Sequence, residues 1–228
     1  MSPHLAADAV ERRAFKRVER ADNRESTDVS CAVGLALARG RRLPTLQGET
    51  VVLRELRQRD APSLMAHLGD PAVLEFVSGA PRTTVEFRRF IRWSREERRS
   101  RGHLTFGLVP AGTPNPVGIV QMWPIEPGFQ TAEWGFVVGK AFWGTGMFHE
   151  AARLLLGFGF LDLGVLRLEA RTVAGDRRGN WALQRLGATA EGRLRAAFRC
   201  RGAVLDHVMW SILATEWTAR TRTARDGR

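Results

Sequence analysis

Between Ala132 and Phe160 the chain changes its hydrophobic period once, and that change limits the folds the remainder can complete. From Glu133 to Val138, β-branched and aromatic residues read as a strand. Gly139 to Trp143 forms a short turn, and Gly144, Thr145 and Gly146 follow it. From Met147 onward, Met147, Ala151, Leu154, Leu155, Phe158 and Leu161 recur at helical spacing. The unit is strand, glycine-bearing loop, helix. Such a loop leaves backbone N–H groups unsatisfied at a helix N-terminus, where the dipole favours an anion. Without Cβ atoms at Gly144 and Gly146, a phosphate can approach that backbone closely. Two familiar nucleotide motifs are excluded. No Lys-Ser/Thr pair follows the second glycine, as a P-loop requires, and no third glycine stands at dinucleotide spacing.

At 228 residues and 44% hydrophobic, the chain has the material for one globular domain with extensions. No apolar run approaches the roughly 20 residues of a membrane span. The N-terminal stretch lacks the apolar centre of a secretory signal. Cys31 and Cys200 are too few for a disulfide framework, no metal-binding spacing occurs, and a reducing cytoplasm is expected. The net charge is +11, and 33 of the 35 basic residues are arginine. Residues 1–47 and the tail 218–228 each carry +3, which leaves +5 for the middle. Such a balance suits phosphate-bearing ligands, acidic substrates or nucleic acid, and equally a solvated, arginine-rich surface. The short run Arg220 to Arg225 is a basic tail that could touch nucleic acid.

In chain order, residues 1–42 form a charged appendage, helical or flexible, and the domain pattern begins at Leu43. Val51 to Leu56 alternates as a strand; Asp60 then reads as an N-cap, with proline in the first turn of a helix to about Leu68. A second helix is expected over Thr84–Arg101, amphipathic and rich in arginine. His103–Val109 and Val117–Trp123 form a hairpin around a Pro/Gly-rich turn. After the central helix come a strand at Val165–Val173, a short helix at Asn180–Leu186 ended by Gly187, and two strands, Glu191–Phe198 and Leu205–Leu213, paired through Arg201 and Gly202.

The order is βααβββαβαββ, and with the Gly144 loop it resembles the GNAT superfamily of N-acetyltransferases. Its loop pattern, Gln/Arg-x-x-Gly-x-Gly/Ala, is matched by Ala141 through Gly144 to Gly146, with the first Gln/Arg absent. The likeness runs from about Leu43 to Trp217. Several segments resemble the branch that holds the ribosomal-protein N-terminal acetyltransferases: the Leu-Arg-Glu-Leu opening before Asp60, Glu133 to Gly135, Gln184 to Gly187, Glu191 to Arg195, and Leu205-Asp206 with Trp210 and Trp217. The resemblance implies an α/β (α+β) fold: a mixed, mostly antiparallel sheet of about seven strands flanked by helices, with a V-shaped cofactor cleft. It divides the chain into the appendage 1–42, an acetyltransferase domain 43–217 and the tail 218–228.

The resemblance further implies acetyl-CoA as co-substrate, with bulged strand backbone at Phe136, Val137 and Val138 pairing with the pantetheine arm. The pyrophosphate would lie on the amides from Trp143 through Gly144, Thr145, Gly146 and Met147 to Phe148. Glu133, eleven residues before Gly144, stands where the superfamily often places the base that removes an amine proton. The Asn expected eleven residues before Gly187 is Asp176 here, which either touches the cofactor or caps the helix after it; the Ser often found three residues later is Gly179. There is no tyrosine in the chain, so no phenol can serve as general acid. His149 is within reach of a phosphate or simply solvated, His67, His103 and His207 have no metal-ligand spacing, and Cys200 reads as structural. No metal is expected. The partners are an amine, either a protein N-terminus or a small molecule. A homodimer and a contact with ribosome or nucleic acid are left open, and no membrane is involved. The alternative class is a non-catalytic acyl-CoA-binding or ribosome-associated module.

Overall fold

The computed structural model describes residues 42–126 and 128–217. The N-terminal appendage, apart from Arg42, and the basic tail lie outside the described residues, as does Cys31. The elements are β1 (Leu46–Gln47), β2 (Val51–Glu55), a 3-10 turn (Gln58–Asp60), α1 (Ala61–Leu68), α2 (Thr84–Arg101), β3 (Leu104–Pro110), β4 (Gly118–Pro124) and β5 (Thr131–Val138). After a 3-10 turn (Lys140–Phe142) follow α3 (Met147–Gly157), a π-helical continuation (Phe158–Asp162), β6 (Arg167–Val173), α4 (Arg177–Leu186), β7 (Thr189–Cys200) and β8 (Ala203–Leu213). The eight strands make one sheet in the order β1-β2-β3-β4-β5-β6-β8-β7. Every neighbouring pair is antiparallel except β5–β6. The strand beyond the expected seven is β1, whose two residues pair with Leu53 and Val52. Two residues are too few to show an alternating pattern.

Local signals account for most boundaries. The Thr83 hydroxyl accepts from the Glu86 N–H at 3.1 Å and opens α2, and Gly102 closes it at φ 74°. Asp60 does not cap α1 with its side chain. Its buried carboxylate instead accepts Arg54 at 2.7 and 2.9 Å and the Arg57 N–H at 2.7 Å. The α4 helix begins at Arg177, three residues before the expected Asn180, because Asp176 caps it by accepting from the Gly179 N–H at 2.9 Å. Its first turn, Arg177-Arg178-Gly179, has no apolar residue to reveal it.

Side-chain alternation divides the core between the two sheet faces. On one face Ile119 and Val137 pack with Leu64, Leu68, Phe87 and Phe90 of α1 and α2. On the other, Val120, Met122, Trp134 and Phe136 pack with Ala151, Ala152 and Leu155 of α3, and Leu183 and Leu186 of α4 join the same core. The α3 helix is tied down at its start: the Glu150 carboxylate accepts the Glu49 and Thr50 N–H groups and the Thr50 hydroxyl. The loop before α3 is thereby held against the β1–β2 turn. Among the described residues, no helix is long and apolar enough to cross a membrane.

The site is created by a fork. β5 and β6 pair only at Thr131↔Arg167, Ala132↔Leu168 and Glu133↔Glu169, and beyond Glu133 no pairing between them continues. β5 stays with β4 to Val138, while β6 stays with β8 to Val173. The two halves of the sheet therefore diverge.

Candidate active site

The fork opens into a cleft of about 550 Å³. It is lined by the free part of β5, the Trp143–Gly146 loop, the starts of α3 and α4, and the far ends of β6–β8. Residues from the α1–α2 connection, Val73, Phe76 and Val77, roof one end.

At the opposite end lies the loop. Gly144 and Gly146 hold φ of 76° and 85°, and an added Cβ at either would meet no atom within 4 Å. Their left-handed backbone requires glycine, and the space beside it is open. Gly146 caps α3 without any side-chain bond, and the first ladder bond of that helix runs from the Glu150 N–H to the Gly146 carbonyl. Among the described residues no hydrogen bond uses the amides of Gly144 to His149. The Trp143 amide is not one of this group: it donates to Lys140 at 3.2 Å. Thr145 Oγ1 donates to the Phe142 carbonyl at 2.8 Å and steadies the turn. The cradle is thus a row of donors at a helix N-terminus beside space for an anion, and it fits a phosphate-bearing group.

The backbone of β5 is not bulged as expected. Its register with β4 runs from Ala132 to Val138 without a shift. Regular pairing decides which groups face the cleft. Gly139 N–H donates to Val117 and Ile125 N–H to Thr131, so by alternation residues 133, 135 and 137 turn their polar backbone towards β4. Val137 lies opposite Ile119 in this way and offers the cleft only its side chain. Phe136 and Val138 face the open side, and the Val138 carbonyl already accepts the Trp143 indole at 2.8 Å. Phe136 N–H and C=O and Val138 N–H remain on the cleft edge.

Glu133 sits at the fork itself, 5% exposed, with Oε2 3.5 Å from Arg171 Nη1 on β6. On the same sheet face are Gln121 and Trp123 of β4 and the bare Gly135. Gln121 Nε2 is 3.0 Å from Thr105 Oγ1 and 3.2 Å from His103 Nε2, and the His103 ring stacks on Trp123 at 5.0 Å. This network holds the wall beside Glu133 rigid. Charge pairing and access to the cleft both hold for Glu133. Among the described residues, no three His, Cys, Asp or Glu side chains gather as a metal site.

Asp176 reaches the cleft wall as well as capping α4. A Cβ on Gly179 would lie 2.5 Å from Asp176 Oδ2, so the two departures from the family pattern accommodate one another. Asn180 is the polar centre behind them. Its Nδ2 donates to the carbonyls of Val173 (2.9 Å) and Asp176 (2.7 Å), and its Oδ1 accepts Thr172 Oγ1 (2.6 Å) and Trp210 Nε1 (3.0 Å).

Sequence reasoning missed the cationic rim. The Arg178 guanidinium lies 3.3 Å over the Trp143 ring and Arg185 lies 4.8 Å over Trp181, while Arg153 completes the edge. His149 is among them, its ring edge-on to Phe148 and Trp181 and its Nε2 buried without a hydrogen-bond partner. Burial first, then the charges of Arg185 and Arg153, hold its pKa below the ordinary 6.5. The available signal was the Arg177-Arg178-Gly179 run directly after the candidate cap Asp176; that it faces the glycine loop is set by the fold.

Comparison with known proteins agrees with this geometry. Residues 50–189 match the acetyltransferase (GNAT) domain family. An uncharacterized N-acetyltransferase of Bacillus licheniformis, p20, is 27% identical over 77% of this chain and 99% of its own length. The fold resembles that of Mycobacterium smegmatis RimJ, crystallised with CoA-disulfide (TM-score 0.65, 24% identity, 75% and 90% of the two chains). It also resembles ribosomal-protein-S5-alanine acetyltransferase of Vibrio fischeri (TM-score 0.67, 16% identity, 76% and 98%).

Proposed function

Because this chain belongs to the GNAT acetyltransferase family and is an acetyltransferase, we propose that it moves the acetyl group of acetyl-CoA to a primary amine, a protein N-terminal α-amine or a small-molecule amine. The observation that carries this reading is the meeting of an open amide cradle and a carboxylate in one cleft. The amides of Gly144 to Phe148 and the arginines of the rim suit the phosphates of the co-substrate. The free edge at Phe136 and Val138 suits the amides of a pantetheine arm, which would place the thioester near the fork. Asp176, fixed as a cap, lines the same wall and would contact that arm only while keeping its bond to Gly179.

A protonated amine has no lone pair. At pH 7 its deprotonation costs roughly 1 kcal/mol for an α-amine and about 4.6 kcal/mol for a lysine amine, from their reference pKa values. Glu133 accepts this proton, directly or through a water, and later releases it to solvent. The amine nitrogen forms its bond to the acetyl carbonyl carbon as the carbon–sulfur bond breaks; the nitrogen then gives its second proton to solvent, and coenzyme A leaves as a thiolate that takes a proton from solvent. With a thiol pKa of about 8.5, that leaving group departs without a phenol to protonate it. The stacked wall of His103 and Trp123 holds the acceptor side in place for attack.

The likeness in fold to a ribosomal-protein acetyltransferase supports a protein N-terminus as one acceptor class. The absence of a membrane-spanning helix among the described residues agrees with a cytoplasmic enzyme. Release of free thiol from acetyl-CoA, followed with a panel of peptides and small amines, tests the proposal. Amine-dependent release is expected. Release no faster with any amine than without one, in protein that acetyl-CoA stabilises, overturns it.

A further inference from the structure

The acceptor end of the cleft has a composition of its own, and from it we infer that this enzyme acetylates singly charged amines whose amine-bearing end is apolar, and discriminates against polycationic amines. The inference rests on the proposed function above and adds the substrate class.

Beyond Glu133, away from the loop, the walls are Trp123 on one side and Val173 and Phe198 on the other. Gly135 leaves the space beside Glu133 free. The nearest atom to a Cβ there is on the Trp123 ring, 3.7 Å away, so an apolar group can lie against that ring. The roof is fixed at both ends. Val73 packs into the core under α1 and α2, while Phe76 packs against Val173, Phe198 and Cys200. Two hydrogen bonds hold the roof to the β7–β8 hairpin: Cys200 Sγ to the Glu75 carbonyl (3.6 Å) and Arg201 Nη2 to the Leu74 carbonyl (3.2 Å). The roof therefore spans the fork, and an acceptor must fit beneath it.

The charge inventory points the same way. Among the described residues that line the cleft, the only carboxylates are Glu133 and Asp176. Asp176 is held by the Gly179 N–H, and Glu133 faces Arg171 and must receive the reacting amine. A second cation on the acceptor finds Arg171 and His207 at this end and no carboxylate to answer it. Burying an unanswered charge is unfavourable, whereas an apolar group there removes its own surface from water. A site for polyamines or aminoglycosides needs the opposite lining.

Matched acceptors test this without altering the protein. Leucyl-glycinamide and lysyl-glycinamide present similar α-amines, and hexylamine and 1,6-diaminohexane differ by one cation. For whichever pair turns over, the singly charged member is expected to have at least tenfold higher kcat/KM. Equal or greater kcat/KM for the doubly charged member of either pair overturns the inference and leaves the acetyltransferase reading standing. No turnover of any of the four, in protein that acetylates another amine of the panel, overturns the inference alone. Val77→Asp, which places a carboxylate in the roof, is expected to narrow the ratio at least threefold. An unchanged ratio in a variant that acetyl-CoA still stabilises counts against the inference.

Discussion

Arg171 Nη1 lies 3.5 Å from Glu133 Oε2, across the point where β5 and β6 cease to pair. That separation is longer than the 2.7–2.9 Å typical of a charge-assisted hydrogen bond. The arginine thus counters the carboxylate at ion-pair range, on a side chain only 7% exposed. The proposed base would exchange this arginine contact for the proton of an incoming amine.

Glu133→Gln keeps the shape and removes the proposed base. Acetyl-CoA binding should be nearly unchanged, while turnover at neutral pH falls by roughly 10²–10⁴-fold. Part of the activity should return at high pH, where the acceptor deprotonates unaided. An α-amine should recover at a lower pH than a lysine-like amine, because their reference pKa values differ by about 2.5 units. Turnover equal to the unmodified enzyme across this range would leave positioning, and not proton removal, as the source of rate.

The glycine loop gives a second, separable expectation. Gly144→Val and Gly146→Ala put a Cβ where no protein atom stands, so the fold loses only the cost of a left-handed φ, about 1–2 kcal/mol. The same Cβ occupies the space assigned to the pyrophosphate. A ligand at 100-fold its Kd adds about 2.7 kcal/mol to stability, and that increment should vanish in the variants. Melting curves with and without acetyl-CoA decide it: a folded variant that keeps the full shift removes the loop from the binding site.

How far these features could be read beforehand depended on the range of the interaction. The α2 helix was legible to the residue because Thr83, Glu86 and Gly102 are local signals. The start of α4 was not: Asp176 is readable as a cap, but Arg177-Arg178-Gly179 carries no apolar residue to mark a first turn before Asn180. Gly144 and Gly146 stood out by residue type, and Glu133 by its position in the family resemblance. Which of Phe136, Val137 and Val138 turns its backbone to the cleft could not be seen, because that parity is set by pairing with Ile119 and Gly118 some twenty residues away. Arg178 over Trp143 was hidden for the same reason: the two meet only after the sheet has formed.

Asn180 was read only as the first residue of a helix, and its structural weight is larger than that. Asn180→Ala removes the acceptor shared by Thr172 Oγ1 and Trp210 Nε1 and one of two donors to the Val173 carbonyl, which keeps the Asp176 N–H at 2.9 Å. A loss of about 1–3 kcal/mol is expected, since the Thr172 hydroxyl loses its acceptor while Trp210 Nε1 keeps only its 3.1 Å bond to Thr172 Oγ1. Denaturant unfolding measures it. A loss under about 1 kcal/mol would show that water replaces the side chain.

Glu191 links stability to acid. Its carboxylate accepts Arg167 twice and the Ser211 hydroxyl at 2.7 Å, and the Arg167 bonds foremost, then Ser211, depress its pKa from 4.5 to about 2. A depressed carboxylate stabilises the fold fully above its unfolded pKa and loses that contribution as pH falls through the folded one. The window is therefore about 4.5 down to about 2. The side chain is 38% exposed, so solvent screening limits the contribution to about 1 kcal/mol at neutral pH. Glu191→Gln should be less stable than the unmodified protein above pH 5, and the gap should close as the pH is lowered. Urea unfolding of both proteins at steps from pH 6 to the lowest pH at which they fold measures that gap. A gap that stays constant or widens on acidification would mean that the Arg167 contact adds no pH-linked stability, and that Glu191 matters only through its shape and its bond from Ser211.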